Sequence, residues 1–264
     1  MLEKIVIIPT YNEKENISRI IEAVFGLNSN FHVLVIDDGS PDGTAGIVKA
    51  LQQKYPSELF LLERSGKLGL GTAYIMGFKW ALEKGYKYIF EMDADFSHNP
   101  ADLNRLYHAC KNEGADVAIG SRYVKGGGTV NWPPNRILLS KGGSLYTRII
   151  TWMPVKDTTA GFLCYKRAVL ESIDLNEIRF LGYAFQIEMK FAAWKLGFII
   201  KEVPIIFEDR KYGVSKMHKG IIKEGILGVL KLRWYSLFKN YRKRMDKKTK
   251  EVSRLSKDEE ILVK

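Results

Sequence analysis

Apolar and polar positions along the first half of the chain alternate between two rhythms. Residues 4–9 (KIVIIP) form a short β-branched apolar run closed by Thr10-Tyr11-Asn12, which predicts a buried strand. Over residues 13–25 the apolar side chains Ile17, Ile20, Ile21 and Val24 recur three or four apart, the spacing of one helix face. Residues 32–36 predict a second strand. The turn Asp37-Asp38-Gly39-Ser40-Pro41-Asp42-Gly43 follows it, with Thr44 placed to N-cap a helix running to residue 54. The same alternation continues through a strand at 58–62, a helix at 71–84, a strand at 86–92, a helix at 99–112 opened by Asn99-Pro100, and a strand at 116–119. Strands that alternate with helices in this way predict an α/β fold with a mostly parallel sheet and helices on both faces.

Beyond Ser121 the rhythm changes. Residues 123–135 are rich in Gly and Pro, and long loops inside compact domains are usually functional. A helix at 135–152, a strand at 161–165, a helix at 185–196, a strand at 199–203, a polar loop at 207–218 and a last helix at 219–239 complete the pattern. No repeat or linker divides it, so residues 1–239 read as one catalytic domain and 240–264 as a basic tail.

Length and composition narrow the class. The chain has 264 residues, 46% of them hydrophobic and 27% charged, which suits a globular protein and excludes fibrous and disordered classes. Two cysteines, Cys110 and Cys164, make no metal or redox spacing and no disulfide framework, which favours a reducing compartment. The most apolar long stretch, 220–238, is interrupted by Lys223, Glu224, Lys231 and Arg233, so no span is expected. The run Ile5 to Ile8 is too short for a signal peptide. Of the net charge of +11, the segment 239–264 carries +5, ten basic residues against five acidic. Such a patch favours anionic partners. A nucleic-acid-binding protein would draw its support from this tail alone, and the chain has no recognition motif for it.

Ligands of open α/β sheets bind beyond the carboxyl ends of the strands. Four polar clusters are predicted there: Pro9 to Glu13, Asp37-Asp38, Asp93-Ala94-Asp95 and Gly120-Ser121-Arg122. Two carboxylates two residues apart suit Mg²⁺, which takes few protein ligands and completes its shell with water and phosphates. Ser97 or His98 is placed to join them. Gly69-Leu70-Gly71 lacks the third glycine of a dinucleotide loop, and Gly66-Lys67 lacks the Ser/Thr of a phosphate loop. His32 and His108 read as structural.

Taken together, Pro9-Thr10-Tyr11-Asn12-Glu13, the 37–44 segment and Asp93-Ala94-Asp95-Phe96-Ser97-His98 resemble the signatures of the family-2 glycosyltransferases of the GT-A fold. Further motifs are similar to the dolichyl-phosphate mannosyltransferases of that family. They are Gly120 to Tyr123, Trp132 with Arg136 and Ser140, Asp157 to Phe162, Gly182 to Met189, and Asp209 to Lys216. The resemblance runs from about residue 4 to residue 238 and leaves out the tail.

It implies GDP-mannose as donor, a polyprenyl monophosphate as acceptor, and Mg²⁺ or Mn²⁺. Pro9, Tyr11 and Glu13 would hold the nucleoside, and Ile36 and Asp38 would line the base and ribose. Asp93, Ala94 and Asp95 would sit at the diphosphate, with Asp93, Asp95 and Ser97 as the metal segment. Arg122, Arg210 and Lys216 would contact phosphates, and Arg136 and Ser140 the acceptor phosphate. A phosphomonoester acceptor is already anionic near neutrality, its second pKa being about 6, so inverting displacement needs no base. Glu188 is the alternative base, or else a structural acid. Residues 125–134 would form a mobile acceptor loop, with Trp132 offering an apolar face to the prenyl chain.

A prenyl acceptor implies a location at the cytoplasmic face of a membrane. In the last helix Ile222, Ile226, Val229 and Leu230 share one side, and Trp234, Tyr235 and the basic tail suit a lipid interface. Self-packing of that helix and a membrane-anchoring partner subunit are the other readings. A donor such as UDP-glucose, and a non-catalytic sugar-nucleotide binder, remain the alternatives on function.

Overall fold

A computed structural model describes residues 2–27, 29–182, 184–210, 220–238 and 241. Its main sheet has seven strands, β1 (Lys4–Thr10), β2 (Phe31–Asp37), β3 (Leu59–Glu63), β4 (Tyr88–Glu91), β5 (Val117–Ser121), β7 (Leu163–Lys166) and β8 (Ile200–Pro204). Their order is β3-β2-β1-β4-β7-β5-β8. All neighbours are parallel except β7, which runs antiparallel between β4 and β5. The sheet is therefore mostly parallel, as the alternating pattern predicts.

Period-two alternation divides β1 between two cores. Ile5 and Ile7 face α3 (Leu70–Lys84) and α7 (Ala184–Lys195), while Val6 and Ile8 face α1 (Ile17–Phe25), α2 (Thr44–Gln52) and α4 (Asp102–Lys111). Both faces are covered, which is why the strand reads as a continuous apolar run. Contact on the α3 side is close: a Cβ on Gly77 would lie 2.8 Å from Ile7 Cγ2 and 2.9 Å from Ile36 Cδ1. The topological switch lies between β1 and β4. It places the 9–13 loop beside the 93–95 loop at the carboxyl ends of the strands.

Several expectations are corrected. The helix predicted from Thr44 is N-capped by Gly43, at φ 90°, and Thr44 is its first residue. The neighbouring Asp42 carboxylate accepts the Thr44 amide at 3.0 Å and hydroxyl at 2.6 Å, so the cap function moves upstream. The predicted 123–135 loop contains a short strand, β6 (Gly128–Val130). It pairs with β9 (Ile206–Glu208), inside the stretch that composition reads as polar loop. Gly127 permits this, since a Cβ there would lie 2.5 Å from the Ser121 carbonyl oxygen. The short helix α6 (Arg167–Ser172) was not predicted.

The remaining helices are α5 (Pro134–Thr151) and α8 (Gly220–Tyr235), which pack on one another; α8 also packs on α7. Beyond residue 239, Tyr241 is buried against Phe191. The rest of the predicted tail lies outside the described residues.

Candidate active site

At the end of β1, Thr10 Oγ1 donates to Asp37 Oδ1 at 2.9 Å, and the Ser40 amide and hydroxyl donate to the same carboxylate. Thr44 Oγ1 accepts the Glu13 amide at 3.0 Å. These bonds tie the first two βα loops together. Glu13 is buried and accepts from Asn16, and the Lys67 ammonium stands 5.2 Å from the centre of the Tyr11 ring. Pro9 is half-buried beside Ile36 in register. The Ile36 side chain is buried in the core on the α3 side, which leaves only its main chain toward the strand ends.

Asp38 has a partner that the motifs did not reveal. Arg64, just past β3, donates from Nε at 2.7 Å and from Nη2 at 2.8 Å to its two carboxylate oxygens. The same guanidinium donates to Thr72 Oγ1 and to the Gly69 carbonyl oxygen at the start of α3. Arg64 and Asp38 are both buried. The only sequence signal for Arg64 is an arginine directly after a strand.

Past β4, Asp93 is half-buried, while Ala94 and Asp95 are buried. Asp95 Oδ1 accepts the Ser97 amide at 3.0 Å, and Oδ2 pairs with Arg210 Nη2 at 3.0 Å. Phe96 turns between them at φ 61°. A cleft of about 540 Å³ opens beside Asp95, between α1 and the β6–β9 pair. The donor set suits a hard divalent cation: two carboxylates on one loop, one of them already balanced by a positive charge. Among the described residues no three His, Cys, Asp or Glu side chains converge. Such a cation would thus take two protein carboxylates and fill its shell from substrate, the usual pattern for Mg²⁺.

Behind this loop His98 is buried, stacked on Phe162 with ring centres 4.9 Å apart. Burial drives its pKa down to about 4 despite the opposing pull of Asp95, so the imidazole is neutral. Glu91 is fully buried and accepts from Gln186 Nε2; burial raises its pKa to about 8. Of the other histidines, His32 bonds the Tyr86 hydroxyl and His108 pairs with Glu113 at the surface, while His218 lies outside the described residues.

Three of the predicted cations, Arg122, Arg136 and Arg210, converge. Arg122 and Arg136 both lie against the Trp132 ring, at 5.4 and 4.1 Å from its centre, and Phe207 packs edge-on to that ring. Trp132 thus presents its face to guanidinium groups. Arg136 pairs with Asp209 at 2.8 Å, next to Arg210. Ser140 accepts the Tyr123 hydroxyl at 2.6 Å. Arg122 is held by Asp157 through Nε at 2.7 Å and Nη2 at 2.6 Å. Lys216 lies outside the described residues. Glu188 accepts the amides of Arg179 and Phe180 on one oxygen, at 2.8 and 3.1 Å, which fits the structural acid.

The last helix has two faces. Val229, Leu232 and Ser236 are buried against the domain, so Val229 does not share the exposed side with Ile226 and Leu230 as the sequence suggests. That outer side also carries Leu227 and Trp234, and the turn after the helix exposes Leu237 and Phe238, the last 79% exposed. Next to it α5 exposes Leu138, Leu145 and Ile149, with Trp152 at its end. Among the described residues no helix is long and apolar enough to cross a membrane.

Comparison with known proteins places this geometry. The family model for glycosyl transferase family 2 matches residues 5–174. A polyprenol monophosphomannose synthase of Mycolicibacterium smegmatis is 47% identical over 225 residues, covering 85% of this chain and 84% of that protein. An undecaprenyl-phosphate mannosyltransferase of Micrococcus luteus is 45% identical over 235 residues, covering 88% and 96%. Among solved structures, glucosyl-3-phosphoglycerate synthase from Mycobacterium tuberculosis, with Mn²⁺, UDP and phosphoglyceric acid, aligns at TM-score 0.66 and 16% identity over 88% of this chain and 78% of that one. The mannosyltransferase PcManGT from Pyrobaculum calidifontis, with GDP-Man and Mn²⁺, aligns at TM-score 0.52 and 16% identity over 88% and 73%. These last two share the fold. With the family model covering more than half of it, the chain belongs to glycosyl transferase family 2 and is a glycosyltransferase.

Proposed function

We propose that the protein transfers mannose from GDP-mannose to a polyprenyl monophosphate at a membrane surface, with inversion, giving polyprenyl-phosphate mannose and GDP. One observation carries the reading. Three arginines, Arg122, Arg136 and Arg210, converge around Trp132, Phe207 and Asp95 at the foot of a helix whose next turn exposes Leu138 and Leu139. A cationic, anion-binding site beside an apolar surface suits a lipid phosphate. The names of the two closely similar relatives support the same acceptor class.

In this reading Pro9, Tyr11, Glu13 and Asp38 hold the nucleoside. Asp93 and Asp95, with Ser97 alongside, would hold Mg²⁺ or Mn²⁺, which supplies charge neutralisation for the departing diphosphate. Arg122, Arg210 and Lys216 bind phosphate oxygens as the anomeric bond breaks, and Arg136 and Ser140 orient the acceptor. Arg122, Arg136 and Arg210 each already have a carboxylate partner, so substrate phosphates exchange with Asp95 or Asp209 or join the existing pair. The acceptor oxygen is anionic near neutral pH and attacks without a base. Docking of the α5 and α8 apolar faces, aided by the basic tail, keeps the enzyme peripheral to the cytoplasmic leaflet.

The test is a transfer assay with labelled GDP-mannose, Mg²⁺ and undecaprenyl or dolichyl phosphate in detergent, reading label in the organic phase. Prenyl-dependent label that disappears in Asp95→Ala supports the proposal. Transfer from UDP-glucose in place of GDP-mannose would overturn the donor, and binding of GDP-mannose without turnover would overturn the catalysis.

A further inference from the structure

Arg122 is more tightly framed than a phosphate-binding arginine needs to be for binding alone. Its amide and Nε both donate to Asp157 Oδ2, at 2.9 and 2.7 Å. Nη2 donates to Asp157 Oδ1 at 2.6 Å and to Thr159 Oγ1 at 2.9 Å. The rings of Tyr123, Trp132 and Phe207 stand 5.1 to 5.5 Å from the guanidinium carbon. Nη1 alone has no hydrogen-bond partner among the described residues, and its two N–H groups are the ones a phosphate can receive.

The frame depends on the 156–160 turn, which is irregular backbone and must have its polar groups satisfied. Two side chains of opposite charge hold it from opposite sides. Lys190, on α7 and fully buried, donates to the carbonyl oxygens of Thr158 at 3.2 Å and Ala160 at 2.6 Å. Its third N–H goes to the Gln186 carbonyl at 3.0 Å, so all three donors are used. Glu202, on β8, accepts the amides of Lys156 at 2.8 Å and Asp157 at 2.9 Å. It also accepts the Ser121 hydroxyl at 2.7 Å, which closes the circuit at the residue before Arg122.

A buried ammonium with no carboxylate in direct contact is costly, and burial lowers the Lys190 pKa to about 8. An apolar side chain would fill the same space without that cost, but would leave the Thr158 and Ala160 carbonyls unsatisfied and the turn loose. We propose that Lys190 and Glu202 are positioning residues that clamp the Asp157 turn, fixing Arg122 so that its Nη1 edge faces the reacting phosphates. The inference rests on the transfer reading for its catalytic consequence, although the clamp itself does not.

Two measurements separate these levels. The first is the solvent-exchange rate of the Arg122 Nε–H by ¹⁵N NMR, the signal being assigned by its loss in Arg122→Lys. Lys190→Met and Glu202→Gln should each speed that exchange at least about tenfold, because a released guanidinium reopens to water. Wild-type exchange rates in both variants would overturn the clamp, whatever the enzyme's activity. The second is a double-mutant cycle on kcat/KM. Each variant alone should lose roughly 10- to 100-fold, the scale of an ångström-sized misplacement of a reacting group. Added to Arg122→Met, each should cost less than about twofold more, since both act through Arg122. Additive losses would instead assign a general structural role and overturn the proposal. If Lys190→Met does not fold, Glu202→Gln, at a half-exposed strand position, gives the same two readouts for the turn. Wild-type protein with no prenyl-dependent transfer would refute the functional reading and leave the exchange measurement to decide the clamp.

Discussion

Replacing Arg64 by methionine isolates one buried ion pair and tests whether Asp38 owes its placement to it. The change removes two hydrogen bonds to the Asp38 carboxylate, which is 6% exposed in the wild type, and those to Thr72 and Gly69. Breaking one side of a buried pair strands an uncompensated charge and costs about 3–5 kcal/mol. Against a total stability on the order of 5–15 kcal/mol, that is a large fraction. For a domain of this size 1 kcal/mol moves Tm by roughly 2–4 °C, so a fall on the order of 10 °C is expected. The double variant Asp38→Asn/Arg64→Met removes both charges and should recover at least half of the loss, because neutral replacements of buried pairs are often well tolerated. Urea unfolding of wild type, both singles and the double gives the coupling directly, and GDP calorimetry reads the site. The double variant should be stable yet bind nucleotide poorly, having lost the Asp38 charge. A loss below about 1 kcal/mol in Arg64→Met would refute the reasoning, since orphaning even one buried polar group costs more than that. So would strictly additive singles.

Three further outcomes follow from the packing. His98 has a folded pKa of about 4 against an ordinary 6.5, so the unfolded chain binds more protons between those values. Its contribution to stability is complete above about pH 6.5 and is lost as pH falls toward 4, with a slope of at most about 1.4 kcal/mol per pH unit. His98→Asn should flatten that part of the urea-stability profile, and an unchanged profile would contradict a buried neutral imidazole. Gly77→Ala should destabilise by about 1–3 kcal/mol through overpacking against Ile7 and Ile36, measured by chemical denaturation; a neutral result would mean that α3 can shift. Glu188→Gln keeps an oxygen for the Arg179 and Phe180 amides, so kcat should stay within about threefold of wild type, whereas Glu188→Ala should lose about 2–4 kcal/mol of stability. A hundredfold fall in kcat for Glu188→Gln, with loss of the acid limb of the pH profile, would make it a base after all.

Local pattern was sufficient for most of the scaffold. The apolar run 4–9 is β-branched, too short for a helix and closed by a turn, which marks a strand buried on both faces, and the three-and-four spacing of Ile17, Ile20, Ile21 and Val24 presents one helix stripe. From those follow the α/β class and the loops at the strand ends that carry Tyr11, Asp38, Asp95 and Arg122. What the sequence left open are pairings between residues far apart in the chain. Nothing in the order of residues says that Arg64 grips Asp38, that Arg210 rests on Asp95 across more than a hundred positions, or that Lys190 and Glu202 clamp the Asp157 turn. The β6–β9 pairing was hidden for the same reason, since three-residue strands have no period of their own and exist only by hydrogen bonding to each other. Periodicity is a property of neighbours in sequence and sets which face of an element is apolar. Ion pairs and hydrogen bonds reach only a few ångströms, so they are decided once the fold has brought distant residues together.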